Sequence, residues 1–441
     1  MKLSGWGRFP VLEAEVRAPR SLVELRALVL SEPSLIPRGN GRAYGDSAIN
    51  RAATLEMRHL NRMLDFDHEI GELVAEAGVQ LGDIVATFLP RGWFPMVTPG
   101  TKFVTMGGAI AADVHGKNHH RDGSFRSCVT WLDVMGGDGG ITRCSRDHNR
   151  KLFDVTLGGM GLTGIVVRAA IRLRPIETAW IRQRTLTAPN LQAAMDVFER
   201  EQESRYSVAW IDCLATGQKL GRSLVMLGEH AALDQLPADK AATPFKTAVK
   251  RTRSVPLDLP SFTLNRLSVR AFNSLYYWAK SGKATPKLVD WGSYFYPLDA
   301  LLGWNRIYGR QGFAQFQCVL PLTKSREGLT ALLQTIAQSG QGSFLAVLKR
   351  FGAQTSPFSF PMEGYTLALD FAVSNKTLAL LDRLDRIVLD HGGRFYLAKD
   401  SRMSAATFAA SDERVEVFRK QRVAEKWTGH FSSAQSERLG L

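Results

Sequence analysis

The chain has 441 residues, too many for one hydrophobic core, because single cores stop growing at roughly 250–300 residues; two domains are expected. With 45% hydrophobic and 22% charged residues and a mean hydropathy of −0.11, it falls in the globular range, which excludes a disordered or fibrous chain. Lys and Arg outnumber Asp and Glu by 56 to 42, and the resulting net charge of +14 favours anionic partners: nucleic acid, anionic lipid headgroups or a phosphorylated substrate.

No apolar run reaches the roughly 18 residues of a membrane-spanning helix, and Met1 to Gly7 lacks the apolar core of a signal peptide, so a cytoplasmic protein is expected. Cys128, Cys144, Cys213 and Cys318 include no CxxC pair, which suggests neither a disulfide framework nor a cysteine metal site.

Residues 1 to about 175 are glycine-rich and read as short strands and helices broken by conspicuous loops. The first such loop, Pro37-Arg38-Gly39-Asn40-Gly41-Arg42-Ala43-Tyr44-Gly45-Asp46-Ser47, has enough glycine to let successive backbone N–H groups turn toward an anion. A plain surface turn is the alternative. A second stretch runs from Thr98 through Gly100 and Thr105-Met106-Gly107-Gly108 to His115-Gly116-Lys117-Asn118. Its small residues at 107–112 permit a planar ligand to lie against the backbone, and two such loops can grip a diphosphate from both sides. A buried packing turn is the other reading of that stretch.

Gly159-Met160-Gly161-Leu162-Thr163-Gly164 satisfies GxGxxG, yet the alternating β-branched run Ile165 to Leu173 after it predicts a strand, not the helix that a dinucleotide fold requires. His115, His119 and His120 lack the acid of an HExxH motif, so no metal site is expected. Neither GxSxG nor a phosphate-binding GxxxxGK[ST] occurs, which removes the commonest hydrolase and NTPase readings.

From Thr178 the elements lengthen. Strands are predicted over 180–186, 206–213, 313–320, 344–351 and 365–373, and helices over 190–203, with Asn190 as cap, and 325–338. A helix from Lys376 to His391 is predicted from Leu378, Leu381, Leu384 and Val388, with Asn375 to cap it and Gly392 to end it. This alternation predicts an α+β domain, an antiparallel sheet covered by helices. Prolines 237, 244, 256, 260 and 286 interrupt residues 220–310, where long mobile loops are expected. That region holds the densest basic stretch, Lys246 to Arg253, followed by Tyr276, Tyr277, Trp278, Trp291, Tyr294, Phe295, Tyr296 and Trp304, a mixture that suits an amphiphilic phosphate or single-stranded nucleic acid.

Taken together, the loop 37–47, TPGTKFVTMGGAIAADVHGKNHHRDGS at 98–124, GGMGLTG at 158–164 and YLAKDSR at 396–402 resemble the flavoproteins with a vanillyl-alcohol-oxidase-type (PCMH-type) FAD-binding domain. Within them the chain resembles the decaprenylphosphoryl-β-D-ribose 2′-oxidase family, the FAD subunits of an epimerase. The likeness runs nearly end to end, through YPLDALLGWNRIYGRQGFAQFQ at 296–317 and the terminal SERLGL.

The resemblance implies a two-lobed FAD-binding domain from residues 1–177 with a C-terminal return at 394–441, and an inserted substrate domain at 178–393. FAD would be held by Pro37, Arg38, Gly39, Asn40, Gly41, Arg42, Ala43, Tyr44, Gly45, Asp46, Ser47, Gly100, Thr105, Met106, Gly107, Gly108, His115, Gly116, Lys117, Asn118, Ile165 and Tyr396. Some relatives attach FAD through a histidine in the first loop; Arg42 occupies that position here, which implies non-covalent FAD. The implied reaction oxidises the ribose 2′-hydroxyl of a polyprenyl-phosphate-linked pentose to a ketone, the first step of epimerisation to an arabinofuranose donor for cell-envelope glycan.

Lys399 is the leading catalytic candidate, with Tyr44, His115 and Lys117 as further members; a surface lysine is the plain alternative. Trp210, Tyr294, Gln315, Gln317, Lys349, Phe351, Thr366, Ala368 and Lys399 would contact the sugar or its phosphate. Ala368 stands where the best-known members carry a cysteine open to covalent inhibitors, and Thr366 where the family has asparagine. The family logic further implies an NAD(P)H-dependent keto-reductase partner and peripheral contact with the inner membrane, and no nucleic acid. Two other readings remain: an alditol or aldonolactone oxidase acting on a soluble sugar, and a basic nucleic-acid-binding protein, which would be colourless.

Overall fold

The computed structural model describes residues 1–248, 252–260, 263–282 and 285–441. Lys250 and Arg251 of the basic stretch lie outside the described residues.

The run after the GxGxxG match is indeed a strand, Ile165–Pro175, and it organises the N-terminal region. It pairs antiparallel with Val129–Met135 on one side and Glu72–Glu76 on the other; Ile141–Ser145, Met63–Asp67 and Trp93–Pro95 extend the sheet to six strands. Positive φ angles at Gly161 (78°) and Gly164 (137°) turn the chain into this strand, a task for which glycine is suited. A small parallel sheet of Val16–Arg17, Thr54–Glu56 and Ile36–Arg38 lies beside it, and the first glycine loop leaves from Arg38.

Beyond Thr178, eight strands form one antiparallel sheet in the order 287–290, 180–188, 223–230, 206–211, 346–351, 364–372, 313–321 and 394–395. Helices Leu191–Arg200, Leu322–Ser339 and Asn375–Asp390 cover one face and share its largest apolar core. The α+β expectation is met. Asn190 caps its helix by accepting from the Ala193 amide at 2.9 Å. The last long helix begins one residue earlier than expected: Ser374, not Asn375, is the cap, because its hydroxyl accepts from the Thr377 amide at 3.1 Å.

The expectation of loops throughout 220–310 is corrected. The segment contains strand Ser223–His230, the fifteen-residue helix Arg266–Lys280, and strand Lys287–Asp290 at the sheet edge. Prolines 237, 244, 256, 260 and 286 all fall between these elements, so they punctuate the segment without preventing regular structure. Among the described residues, no helix is long and apolar enough to cross a membrane.

Candidate active site

The face of the large sheet away from its helices is read from strand parity. On Phe313–Pro321, Gln315 and Gln317 face a cavity while Phe316 and Cys318 enter the helical core. Val347 and Lys349 do the same on the neighbouring strand, as do Thr366, Ala368 and Asp370 on Gly364–Ala372. Cross-strand register aligns Gln315 with Asp370, Gln317 with Ala368, and Lys349 with Thr366, making a polar wall on three adjacent strands.

Opposite that wall the cavity, about 560 Å³, is closed by both glycine loops. The first is pinned from behind: the Trp6 amide donates to Ala43 O at 2.8 Å and the Gly7 amide to Tyr44 O at 3.0 Å. Among the described residues, the amides of Asn40 to Ala43 donate to no protein acceptor. The Tyr44 amide donates to Ala398 O at 2.9 Å, and the Tyr396 hydroxyl donates to Ala112 O at 3.0 Å, so YLAKDSR joins the two loops. A Cβ on Gly45 would overlap the Asp400 carbonyl oxygen. Gly45→Ala is therefore expected to displace the first loop and cut bound flavin at least severalfold, measured as the flavin-to-protein absorbance ratio after purification.

Pro37, Gly39, Asn40, Gly41, Arg42, Ala43, Tyr44, Ser47, Gly100, Thr105, Gly107, Gly108, His115, Gln315, Gln317, Lys349, Thr366, Ala368, Tyr396 and Lys399 all line this one cavity. The others anticipated from sequence do not line it, each for a visible reason. Arg38 donates to Ser4 O at 2.8 Å, and Asp46 pairs with Arg438 at 2.8 Å. Met106 and Ile165 are buried in apolar clusters, Gly116 is packed against the Thr98 backbone, and Asn118 donates to Met96 O at 2.8 Å.

Lys117 turns away to the Tyr294 carbonyl, its ammonium 4.1 Å from the centre of the Tyr294 ring, which itself is buried under Gly228. Trp210 is covered by Tyr276 of helix Arg266–Lys280, and its indole N–H donates to Phe344 O at 3.1 Å. Phe351 stands behind His115, with ring centres 4.8 Å apart. Among the lining residues that sequence reasoning missed are Asp370, Val347, Trp6, Phe103 and, at the mouth, Leu298, Asp299, Leu301 and Leu302. Strand parity was the available signal for Asp370 and Val347: Thr366 and Ala368 project into the cavity, and 370 follows at the same two-residue spacing.

Charge in the cavity is concentrated. Lys399 places its ammonium 3.5 Å from the centre of the Tyr44 ring, and burial together with the nearby Lys349 lowers its pKa, an effect that Asp370 opposes. Burial likewise raises the pKa of Asp370, which accepts a hydrogen bond from the Gln315 amide. Lys349 is pushed down to about 8 by burial. His115 is held neutral, well below the usual histidine range, by burial and then by Lys349. Its Nε2 faces the Gln317 amide nitrogen at 3.1 Å, and that amide also donates to Thr366 Oγ1 at 3.2 Å.

Among the described residues, two buried side-chain atoms in this cavity have no protein partner: Arg42 Nε and His115 Nδ1. Arg42 stacks its guanidinium over Trp6, 4.2 Å from the ring centre, and over Phe103 at 4.8 Å. A ligand with a diphosphate and a polar ring meets these orphaned donors, the free loop amides and the glycine-lined walls, so the residues present fit FAD.

Comparison with known proteins agrees with this geometry. Residues 16–145 match an FAD binding domain family. The whole chain is 36% identical to decaprenylphosphoryl-beta-D-ribose oxidase of Mycolicibacterium smegmatis, covering 97% of that protein. It is 31% identical over 82% of its length to an uncharacterized protein of Streptomyces coelicolor, covering all of it. Over 37% of its length it is 32% identical to cytokinin dehydrogenase 7 of Oryza sativa subsp. japonica, of which it covers 33%.

Proposed function

Because the chain belongs to the decaprenylphosphoryl-β-D-ribose oxidase family and is an FAD-dependent oxidoreductase, we propose that it oxidises the 2′-hydroxyl of a polyprenylphosphoryl-β-D-ribose to the 2′-ketone, using dissociable FAD. The observation that carries this reading is one cavity in which two glycine loops and Lys399 face a sheet wall bearing Lys349 and the Gln315–Asp370 pair. FAD, when bound, supplies the hydride acceptor that alcohol oxidation needs. Everything else falls to the protein: the pentose is oriented by Gln315, Gln317 and Thr366, its phosphate is met by Lys349, and the hydroxyl proton passes to Nζ of Lys399. Burial keeps Lys399 close to the point where it can give up or take a proton near neutral pH. The stacked Arg42 and the aromatic walls exclude water from the reacting centre.

In this reading the 2′-ketone is passed to an NAD(P)H-dependent keto-reductase, as epimerisation to the arabinose donor for cell-envelope glycan requires. The enzyme works from the cytoplasmic side in peripheral contact with the membrane that carries the lipid-linked substrate.

Anaerobic addition of polyprenylphosphoryl ribose to the purified yellow protein is expected to bleach the flavin absorbance within the mixing time of one turnover. If a free alditol bleaches it and the lipid-linked pentose does not, the soluble-sugar oxidase reading replaces this one; a protein that neither carries nor takes up flavin sinks both. Phosphate recognition by Lys349 sets the pH dependence. The protonated form prevails below about pH 8 and is lost above it, so KM for the lipid-linked substrate is expected to rise above that pH. Lys349→Arg, charged throughout, should flatten the rise in a KM-against-pH series.

A further inference from the structure

Helix Arg266–Lys280 turns apolar residues away from the protein body. Val269 and Asn273 face inward and are buried, with the Asn273 amide donating to Asp212 at 2.8 Å. On the opposite side, positions 267, 271, 275 and 278 lie three to four residues apart and form one stripe. Leu267 is 79% exposed, Leu275 64% and Trp278 77%. Single exposed leucines are ordinary, whereas a tryptophan and two leucines in line mark a surface that expects a partner.

The stripe does not stand alone. Leu257, 72% exposed, and Leu259 flank Asp258, which is pinned to the body by Arg8 at 2.5 Å. Arg253–Ser254 runs parallel to Leu301–Leu302, and Leu302 both lines the cavity and is 42% exposed. Leu264, just ahead of the helix, packs with Trp304 and Tyr308 at the same edge of the cavity. These leucines and the helix are therefore anchored at the cavity mouth.

The charge of this part of the chain is mostly positive. Residues 241–310 contain eleven Lys and Arg against three Asp, so +8 of the chain's net +14 falls in this segment. Of the three acids, Asp258 is taken by Arg8, and Asp299 accepts from the Lys102 amide at 2.8 Å inside the mouth. Arg270 flanks the stripe and Lys280 ends the helix.

We propose that helix Arg266–Lys280 and the adjoining segment 252–260 form a docking surface for an anionic lipid bilayer, which sets the cavity mouth against the membrane. An amphipathic helix with Leu and Trp on its free face and cations beside them lies in the interface plane, its apolar side among the acyl chains and its cations at the headgroups. The surface of a nucleic acid would leave the leucines without a counterpart. Docking rests on this surface alone; its use in drawing a prenyl chain into the cavity rests on the function proposed above.

The test uses the full, flavin-loaded chain and vesicles of phosphatidylglycerol or phosphatidylcholine. The protein is expected to co-sediment with the anionic vesicles and weakly with the neutral ones, and to be released at about 1 M salt. Vesicles with brominated acyl chains should quench part of the tryptophan emission, and that part should vanish in Trp278→Phe. The triple variant L267S/L275S/W278S should lose about tenfold or more in partitioning while turning over a short-chain, water-soluble substrate analogue at the native rate. Equal vesicle binding by the triple variant overturns the proposal, as does native protein that ignores anionic vesicles. A solution dimer that the triple variant splits in sedimentation equilibrium also overturns it, since the stripe then meets a second copy. If vesicle binding behaves as stated and no prenylphosphoryl pentose is turned over, the substrate assignment fails and the docking surface stands.

Discussion

Lys399→Met is expected to retain FAD and to lose turnover of polyprenylphosphoryl ribose by about 10²–10⁴-fold, the range of a positioned proton-transfer group. Methionine keeps the volume of the lysine stem, so the cavity wall and the Tyr44 ring against it stay packed. The stability change should have the opposite sign from the activity change. In the native protein the buried ammonium has a pKa below that of an unfolded lysine, about 10.4, so the fold is penalised while the group is protonated and the penalty fades as pH rises toward that value. The variant should therefore be as stable as the native protein or more so, with any advantage greatest below neutral pH and narrowing above it. Single-turnover flavin bleaching with the substrate, beside denaturant unfolding at two pH values, checks both signs. Native bleaching rates in the variant would remove Lys399 from the chemistry. Asp370→Asn should move the pH profile of turnover toward lower pH, since it removes the charge that holds the Lys399 proton in place.

Local pattern was legible in the sequence where the backbone itself carried the signal. Alternation in Ile165–Pro175 distinguished a strand from a dinucleotide-binding helix, and glycine density located both loops that close the cavity. Parity could have gone further: Gln315, Gln317, Lys349, Thr366 and Ala368 were anticipated, while Asp370, two residues on, was not. The second limit was non-local. The Tyr44 amide meets Ala398 O across more than half the chain, and nothing in either segment names the other. Lys117 does not line the cavity, for a local reason. The chain turns at Gly116 into the short helix His119–Asp122, so His115 faces the cavity while Lys117, two residues on, is drawn to Tyr294. Helix Arg266–Lys280 was missed because its outward stripe is apolar and its inward face carries Asn273, the reverse of the pattern that signals a soluble helix.

Arg438→Met is expected to destabilise the fold by about 3–5 kcal/mol, the cost of stripping one partner from a buried ion pair. Its guanidinium reaches Asp46 at 2.8 Å and Asp400 at 2.9 Å and donates to Met403 O at 2.6 Å. Both carboxylates are buried, and they belong to different elements: Asp46 to the first glycine loop, Asp400 to the segment that carries Lys399. Burial alone would raise the pKa of Asp400, yet Arg438 and the amides of Met403 and Arg402 hold it below the usual carboxylate value. Without the guanidinium, two buried anions face each other, and the loop and the lysine segment lose their common tie. Flavin retention should fall together with stability, unlike in Lys399→Met, where only turnover falls. For Asp400 the stabilisation is present above the unfolded carboxylate pKa of about 3.9 and is lost as pH drops through its lower folded value. The native and Arg438→Met proteins should therefore differ most in denaturant midpoint near neutral pH and converge in acid. A constant gap across that range would show that Arg438 acts through packing and not through its charge.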